Sequence, residues 1–313
     1  MKNKTPLILG GIFIILVVLF LVTSINPPEK SKGAAPLFEG EKPVIDKLEM
    51  TNKNQGRIVI EKQDGIWNII EPIKYKASES TVEQSITTLL GTVVDGVISS
   101  RTESQEQFEV SDSTGTALKV YSGGEIVLDA IVGKNSIDLN HTYARMKDSD
   151  DIVIWRGMMT AHVSRPPDEW RDKGIYSFNP DDIVALKAVD GNNTREITLA
   201  DSLWVYSENG AEKPVDQDSV KELVSLLSSL QCDAFADEKD IPRVAGKEAD
   251  TAISFTVRNG DTHSFDLWTP GDADAGRYLI RKENGNEVFR FYRYRGAQLI
   301  IDYENLKAGA GEG

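Results

Sequence analysis

The sequence predicts an α+β protein: two tandem duplicated domains, each an antiparallel sheet with one main helix packed on a face, preceded by one transmembrane helix. Three observations predict it. An alternating pattern of apolar and polar residues occurs twice in the chain, each occurrence is followed by a helical apolar stripe, and an uncharged apolar run stands near the amino terminus. The length, 313 residues with 40% hydrophobic side chains, supports two cores of ordinary size.

The apolar run comes first. Pro6 to Ile25 reads PLILGGIFIILVVLFLVTSI, with no charge and no polar face. At about 1.5 Å per residue such a run spans roughly 30 Å, the thickness of a bilayer core. It is read as an uncleaved signal anchor; a cleaved signal peptide, with Val22 and Ser24 at its cleavage site, is the alternative. No cysteine follows the run, which excludes a lipoprotein anchor. Residues 1–5, with Lys2 and Lys4, form a cytoplasmic tail, and 26–42, with Pro27 and Pro28, a linker. The expected location is the cell membrane, single-pass, with the large carboxyl-terminal part extracytoplasmic (periplasmic).

The repeat organises the rest into a first unit over 43–172 and a second over 173–307, with 308–313 a flexible tail. IDKLEMTNKNQGRIVIEKQDGIWNI, from Ile45, aligns with IVALKAVDGNNTREITLADSLWVY, from Ile183. Leu48 matches Leu186, Ile60 matches Ile197, and Trp67 matches Trp204. Three short alternating runs separated by Asn/Gly turns predict a meander. A helix follows in each copy: Val82, Ile86 and Leu89 recur as Val220, Val224 and Leu227, 138 residues on. Ser78 or Ser80 caps the first helix, Asp216 or Asp218 the second. Beyond the helices, Ala117–Val120 matches Ala252–Phe255, Tyr143-Ala144-Arg145 sits opposite Tyr278-Leu279-Ile280, and IVIWRG ending at Gly157 resembles FYRYRG ending at Gly296.

At the entrance to the second copy stands DEWRDKGIYSFNPDDIVALKA, Asp168 to Ala188. This arginine-aspartate-lysine run, the aromatic or aliphatic pair after it and Phe-x-Pro-Asp-Asp resemble the family called domain of unknown function 4340. The aligned Trp67 and Trp204, the Tyr143-Ala144-Arg145 strand and the amino-terminal run fit the same pattern. The first copy departs from it, since Pro36-Leu37-Phe38 is followed by EGEKPVID without Asn-Pro-Asp-Asp. The resemblance implies membrane-anchored extracytoplasmic proteins, often associated with ABC-type export systems of the gliding-motility kind. It carries over no catalytic residue.

Charge and motifs narrow the chemistry. Acids outnumber bases 49 to 35, for a net charge of −14, and the first 28 residues contribute only two of the bases. So acidic a chain argues against nucleic acid as a partner. Cys232, the single cysteine, excludes an internal disulfide. His141, His162 and His263 have no second ligand at metal-site spacing, and there is neither a GxSxG elbow nor an HExxH. Gly133-Lys134-Asn135-Ser136 reads as a turn rather than a phosphate loop. No catalytic, cofactor or metal residue is assigned, and the chain is expected not to be an enzyme.

The most unusual local composition is VFRFYRYRG, where arginines interleave with aromatics. Arg290, Tyr292, Arg293, Tyr294 and Arg295 are the candidate partner-binding residues, because Arg and Tyr are enriched at interface centres. The plainer expectation is a strand whose aromatics pack inward while its arginines pair with acids. The leading functional expectation is an accessory or scaffold protein that attaches to the membrane through Pro6–Ile25 and binds a protein partner, with ABC transporter subunits as the suggested class. The alternatives are an extracytoplasmic module binding a glycan or lipid in an inter-domain groove and, third, a hydrolase.

Overall fold

The computed structural model describes residues 33–270 and 277–307. The run at 6–25, the tail at 1–5, residues 26–32 of the linker and the tail at 308–313 lie outside them. Among the described residues no helix is long and apolar enough to cross a membrane. The chain divides after Arg171 into two compact units.

In the first unit the strands are β1 (Ala35–Pro36), β2 (Lys47–Asn52), β3 (Gly56–Gln63), β4 (Ile66–Glu71) and β5 (Tyr75–Lys76). Helix α1 (Glu79–Leu90) follows, then β6 (Val93–Ser99), β7 (Thr116–Ser122), β8 (Glu125–Asn135), β9 (His141–Met146) and β10 (Ile152–Arg156). Two single-turn helices, α2 (Thr160–Val163) and α3 (Pro167–Trp170), close the unit. The ten strands form one sheet in the order β1-β6-β10-β9-β8-β7-β2-β3-β4-β5, and every pairing is antiparallel.

The second unit has β11 (Ile183–Asp190), β12 (Asn193–Ala200), β13 (Leu203–Glu208) and β14 (Ala211–Lys213), then α4 (Gln217–Ser228). After it come β15 (Ala234–Phe235), α5 (Ile241–Val244), β16 (Thr251–Val257), β17 (Thr262–Trp268), β18 (Arg277–Lys282) and β19 (Val288–Tyr292). Helices α6 (Arg293–Ala297) and α7 (Tyr303–Leu306) end it. Its nine-stranded sheet, read from β15, runs β15-β19-β18-β17-β16-β11-β12-β13-β14. That is the order of the first sheet from β6 to β5, strand for strand.

These sheets correct the α+β expectation. Among the described residues strand outweighs helix, 43% to 19%, and each unit is a large antiparallel sheet with a single helix longer than five residues. The sequence reading missed strands for two physical reasons. β5, β6, β14 and β15 are short or half-exposed elements at sheet ends. β8 shows no alternation because both its faces are covered: Ala130 and Val132 join the main core, while Ile131 packs on the other face with Val110 and Ile152. Gly133, expected in a turn, lies inside β8. A Cβ there would stand 2.4 Å from the Phe108 carbonyl oxygen, so only glycine lets the 105–115 loop press onto the strand.

The helices repeat in detail. α1 buries Val82, Ser85, Ile86 and Leu89, and α4 buries Val220, Leu223, Val224 and Leu227, each 138 residues on. Fully burying one such Leu contributes roughly 1.5–3 kcal/mol. Each helix is also tied to the tryptophan strand before it. The Trp67 indole donates to Glu83 at 2.7 Å, and the Gln217 side chain bonds both the N–H and the C=O of Trp204, at 2.8 and 2.9 Å. The entrance segments match as well. The Leu37 N–H donates to the Thr92 carbonyl, and the Ile175 N–H to the Leu230 carbonyl, at 2.9 and 2.8 Å.

Two proposed matches fall out of register. Tyr143 packs at 4.6 Å on Phe108 in the cluster opposite α1, whereas its neighbour Ala144 enters the main core. In the second unit it is Leu279, not Tyr278, that joins the corresponding outer cluster with Val244, Trp268 and Val288. The strand β10 ends at Arg156 and β19 at Tyr292, so Gly157 and Gly296 hold different places: Gly157 follows its strand directly, and Gly296 lies inside α6.

Candidate partner-binding surface

The arginine–aromatic segment begins as a strand and ends as a helix, because pairing with β15 ends at Arg290 and pairing with β18 at Tyr292. Alternation along β19 buries Phe289 and Phe291, and Phe289 packs 5.9 Å from Phe235. At Tyr292 the chain turns into α6, whose N-cap is Tyr292 itself. A Cβ on Gly296 would fall 2.3 Å from the Tyr278 ring, so the absence of a side chain lets α6 lie directly on β18.

The five predicted residues separate into two groups. Arg290 and Arg295 build the platform. Arg290 pairs with Asp237 at 2.9 Å and Asp240 at 3.4 Å. Arg295 pairs with Asp233, donates to the Gln231 carbonyl at 2.8 Å and lies over the Phe291 ring at 5.5 Å. Asp233 also accepts the Tyr292 N–H at 2.7 Å, so one carboxylate fixes both the start of α6 and its first turn. The Lys239 backbone N–H, helped by Arg290, holds the Asp237 carboxyl below its ordinary pKa.

Tyr292, Arg293 and Tyr294 form the other group and face outward. Tyr292 is 51% exposed and Tyr294 68%; their rings are stacked, 6.4 Å apart and 11° from parallel. Arg293, also exposed, has no ion pair among the described residues. The arrangement is therefore a rigid, ion-paired base that displays two large amphipathic rings and one unspent guanidinium. Sequence reasoning missed the acidic partners Asp233, Asp237 and Asp240. Their signal was the acid-rich DAFADEKD run just after α4.

The three histidines serve local structure. Nδ1 of His162 lies 3.3 Å from the Ser85 hydroxyl, the one side-chain Ser–His contact among the described residues that a hydrolase reading could use. Ser85, however, is buried on the core side of α1 and donates to the Thr81 carbonyl at 2.9 Å. Burial, with Arg165 nearby, pushes the His162 pKa down, whereas a catalytic relay places a carboxylate there. His141 lies between Asp95 and Asp138, 3.6 and 3.4 Å away. His263 stacks in an aromatic group with Phe178 and Phe255. Tyr176 joins that group and donates to the Ser264 carbonyl at 2.6 Å, which makes Tyr176 of the entrance motif a packing residue.

The family model described as domain of unknown function (DUF4340) matches residues 67–249. The match opens at Trp67, contains both helix caps and Trp204, and crosses the division between the units. No curated protein and no solved structure matches the chain. Because the matched segment is more than half of the 313 residues and holds both tryptophan-strand-to-helix connections, the chain belongs to the DUF4340 family.

Proposed function

We propose that this protein is a non-enzymatic accessory that attaches to the membrane through the Pro6–Ile25 segment and binds a protein partner outside the cytoplasm through Tyr292, Arg293 and Tyr294. The observation that carries the reading is the stacked, exposed tyrosine pair on an ion-paired platform. Rigid aromatic residues bring large contact area to an interface at small entropic cost, and Tyr and Arg dominate interface hot spots. An exposed pair held in one geometry by Asp233 fits that use better than it fits packing. The partner class comes from the sequence resemblance: the permease or ATPase subunits of an ABC-type export system. The acidic whole supports a protein partner over nucleic acid or anionic lipid.

The test is co-purification of the full chain from its native membranes, with Tyr292→Ala/Tyr294→Ala as the control. Recovery of export-system subunits with the wild type and their loss with the double variant are expected. Equal recovery with both proteins, or none with either, refutes the surface.

A further inference from the structure

The first unit contains a cleft of about 610 Å³ that the partner reading does not use. It opens between the β2–β3 turn at Asn52–Gln55, the loop leading into β7, and α2 with the following Ser164. A gap between packed elements is ordinarily filled by apolar side chains. Most of the residues that line this one carry amides, hydroxyls or charges, the last on Lys53, Glu106 and Glu109, with Val132 its one large aliphatic residue.

The lining is already organised. Oδ1 of Asn52 accepts the N–H groups of Asn54 and Gln55 at 3.0 and 2.8 Å, which fixes the turn. The Asn52 amide reaches the Thr116 hydroxyl at 3.4 Å, and that hydroxyl bonds Ser164 at 2.8 Å, so a polar chain crosses the floor. Thr160 donates to the Gly133 carbonyl at 2.7 Å, and Ser113 donates to Glu106 at 3.2 Å. The loop wall is clamped from behind by Arg145, whose guanidinium donates to the carbonyls of Val110, Lys147 and Ser149 at 3.0, 3.1 and 3.0 Å. One acceptor stays open: Oε1 of Gln55 is buried without a hydrogen-bond partner. A buried unpaired carbonyl is costly, and a side-chain rotation toward a donor in the cleft relieves it.

The second unit resolves the same corner differently. Asp190, at the place of Asn52, pairs with Arg195, which also donates to the Ile301 carbonyl at 2.7 Å and so joins the turn to the closing segment. At this corner the second unit carries a charged pair where the first carries a chain of amide and hydroxyl groups.

We propose that this cleft binds a neutral, hydroxyl-rich ligand, a glycan segment of two or three sugar units. Each sugar hydroxyl both donates and accepts, as the amide and hydroxyl lining requires. The volume falls within the ordinary range for ligand sites. Glu106 and Glu109 against Lys53 disfavour an anionic ligand, and the polar lining disfavours a lipid chain. This inference stands apart from the partner surface.

The experiment probes an array of neutral and charged oligosaccharides with the full chain, purified in a detergent without a sugar head group. Calorimetric titration of the strongest neutral ligand follows, using Gln55→Ala and Ser113→Trp. Neutral oligosaccharides are expected to bind; Gln55→Ala weakens them about five- to tenfold, Ser113→Trp abolishes binding, and Tyr292→Ala changes nothing. Both cleft variants are expected to melt with the wild type. Binding of charged glycans alone, no binding at all, or affinities that both cleft variants leave unchanged overturns the proposal.

Discussion

Ser78 and Asp216, 138 residues apart, cap equivalent helices with the same bond: each side-chain oxygen accepts the backbone N–H three residues on, from Thr81 at 3.4 Å and from Ser219 at 2.8 Å. One cap titrates and the other does not. The Ser219 hydroxyl and N–H, in that order, lower the Asp216 pKa. A depressed carboxylate pKa stabilises the fold above the unfolded value and loses that contribution as pH falls through the folded one. Ser78→Ala is therefore expected to cost about 1 kcal/mol at neutral pH and nearly the same in acid. The cost of Asp216→Ala shrinks as pH drops below 3.8. Urea titrations at neutral pH and at about pH 2.5 measure both.

Arg145 is buried and its guanidinium donates to four carbonyls, those of Val110, Met146, Lys147 and Ser149, and to Asp112, the last at 2.8 Å. Arg145→Met strands those carbonyls and frees the 105–115 loop, with an expected loss of about 3 kcal/mol. Arg145→Lys restores the charge without the fork and recovers only part of it. Urea unfolding followed by tryptophan fluorescence reports both.

His162 is kept neutral by burial, its pKa pushed below 6.5. The unfolded chain then takes up the proton first, so the first unit loses stability as pH falls below about 6.5 and keeps it above. His162→Gln is expected to flatten the melting temperature between about pH 7 and pH 5. An unchanged slope would contradict the assignment.

Gly296→Ala forces a methyl against the Tyr278 ring, and overpacking of this kind costs about 1–3 kcal/mol. Arg293 is exposed and has no ion pair among the described residues, so Arg293→Ala is expected to stay within about 0.5 kcal/mol of the wild type. The glycine variant should lower the melting temperature and the arginine variant only partner retention.

Much of the fold was legible where one face of an element is dry and the other wet. The meanders around Leu48 and Leu186, both helix stripes and both caps follow from that contrast. It fails where both faces are covered, as in β8, and where an edge strand such as β15 contributes two residues. It also fails on register. Setting Tyr143 against Tyr278 is one residue away from Leu279, and one residue turns a strand over. Of the candidate surface, composition marked all five residues of the Arg/Tyr run. Their division into platform and display rests on the end of β19 at Tyr292 and on three aspartates fifty or more residues upstream, which no local pattern connects. The amide- and hydroxyl-lined cleft is assembled from four separate segments and left no motif.

The central claim, that Tyr292-Arg293-Tyr294 is a docking surface for an export-system subunit, is tested most directly by site-specific photo-crosslinking in native membranes. A benzophenone amino acid replaces Tyr294 in one protein and Ile66, an exposed strand residue of the first unit at 52%, in another. The account predicts a discrete crosslink to a permease or ATPase subunit from position 294 that is lost when Arg293→Ala is added, and none from position 66. Equal crosslinking from both positions, or none from 294, would contradict it.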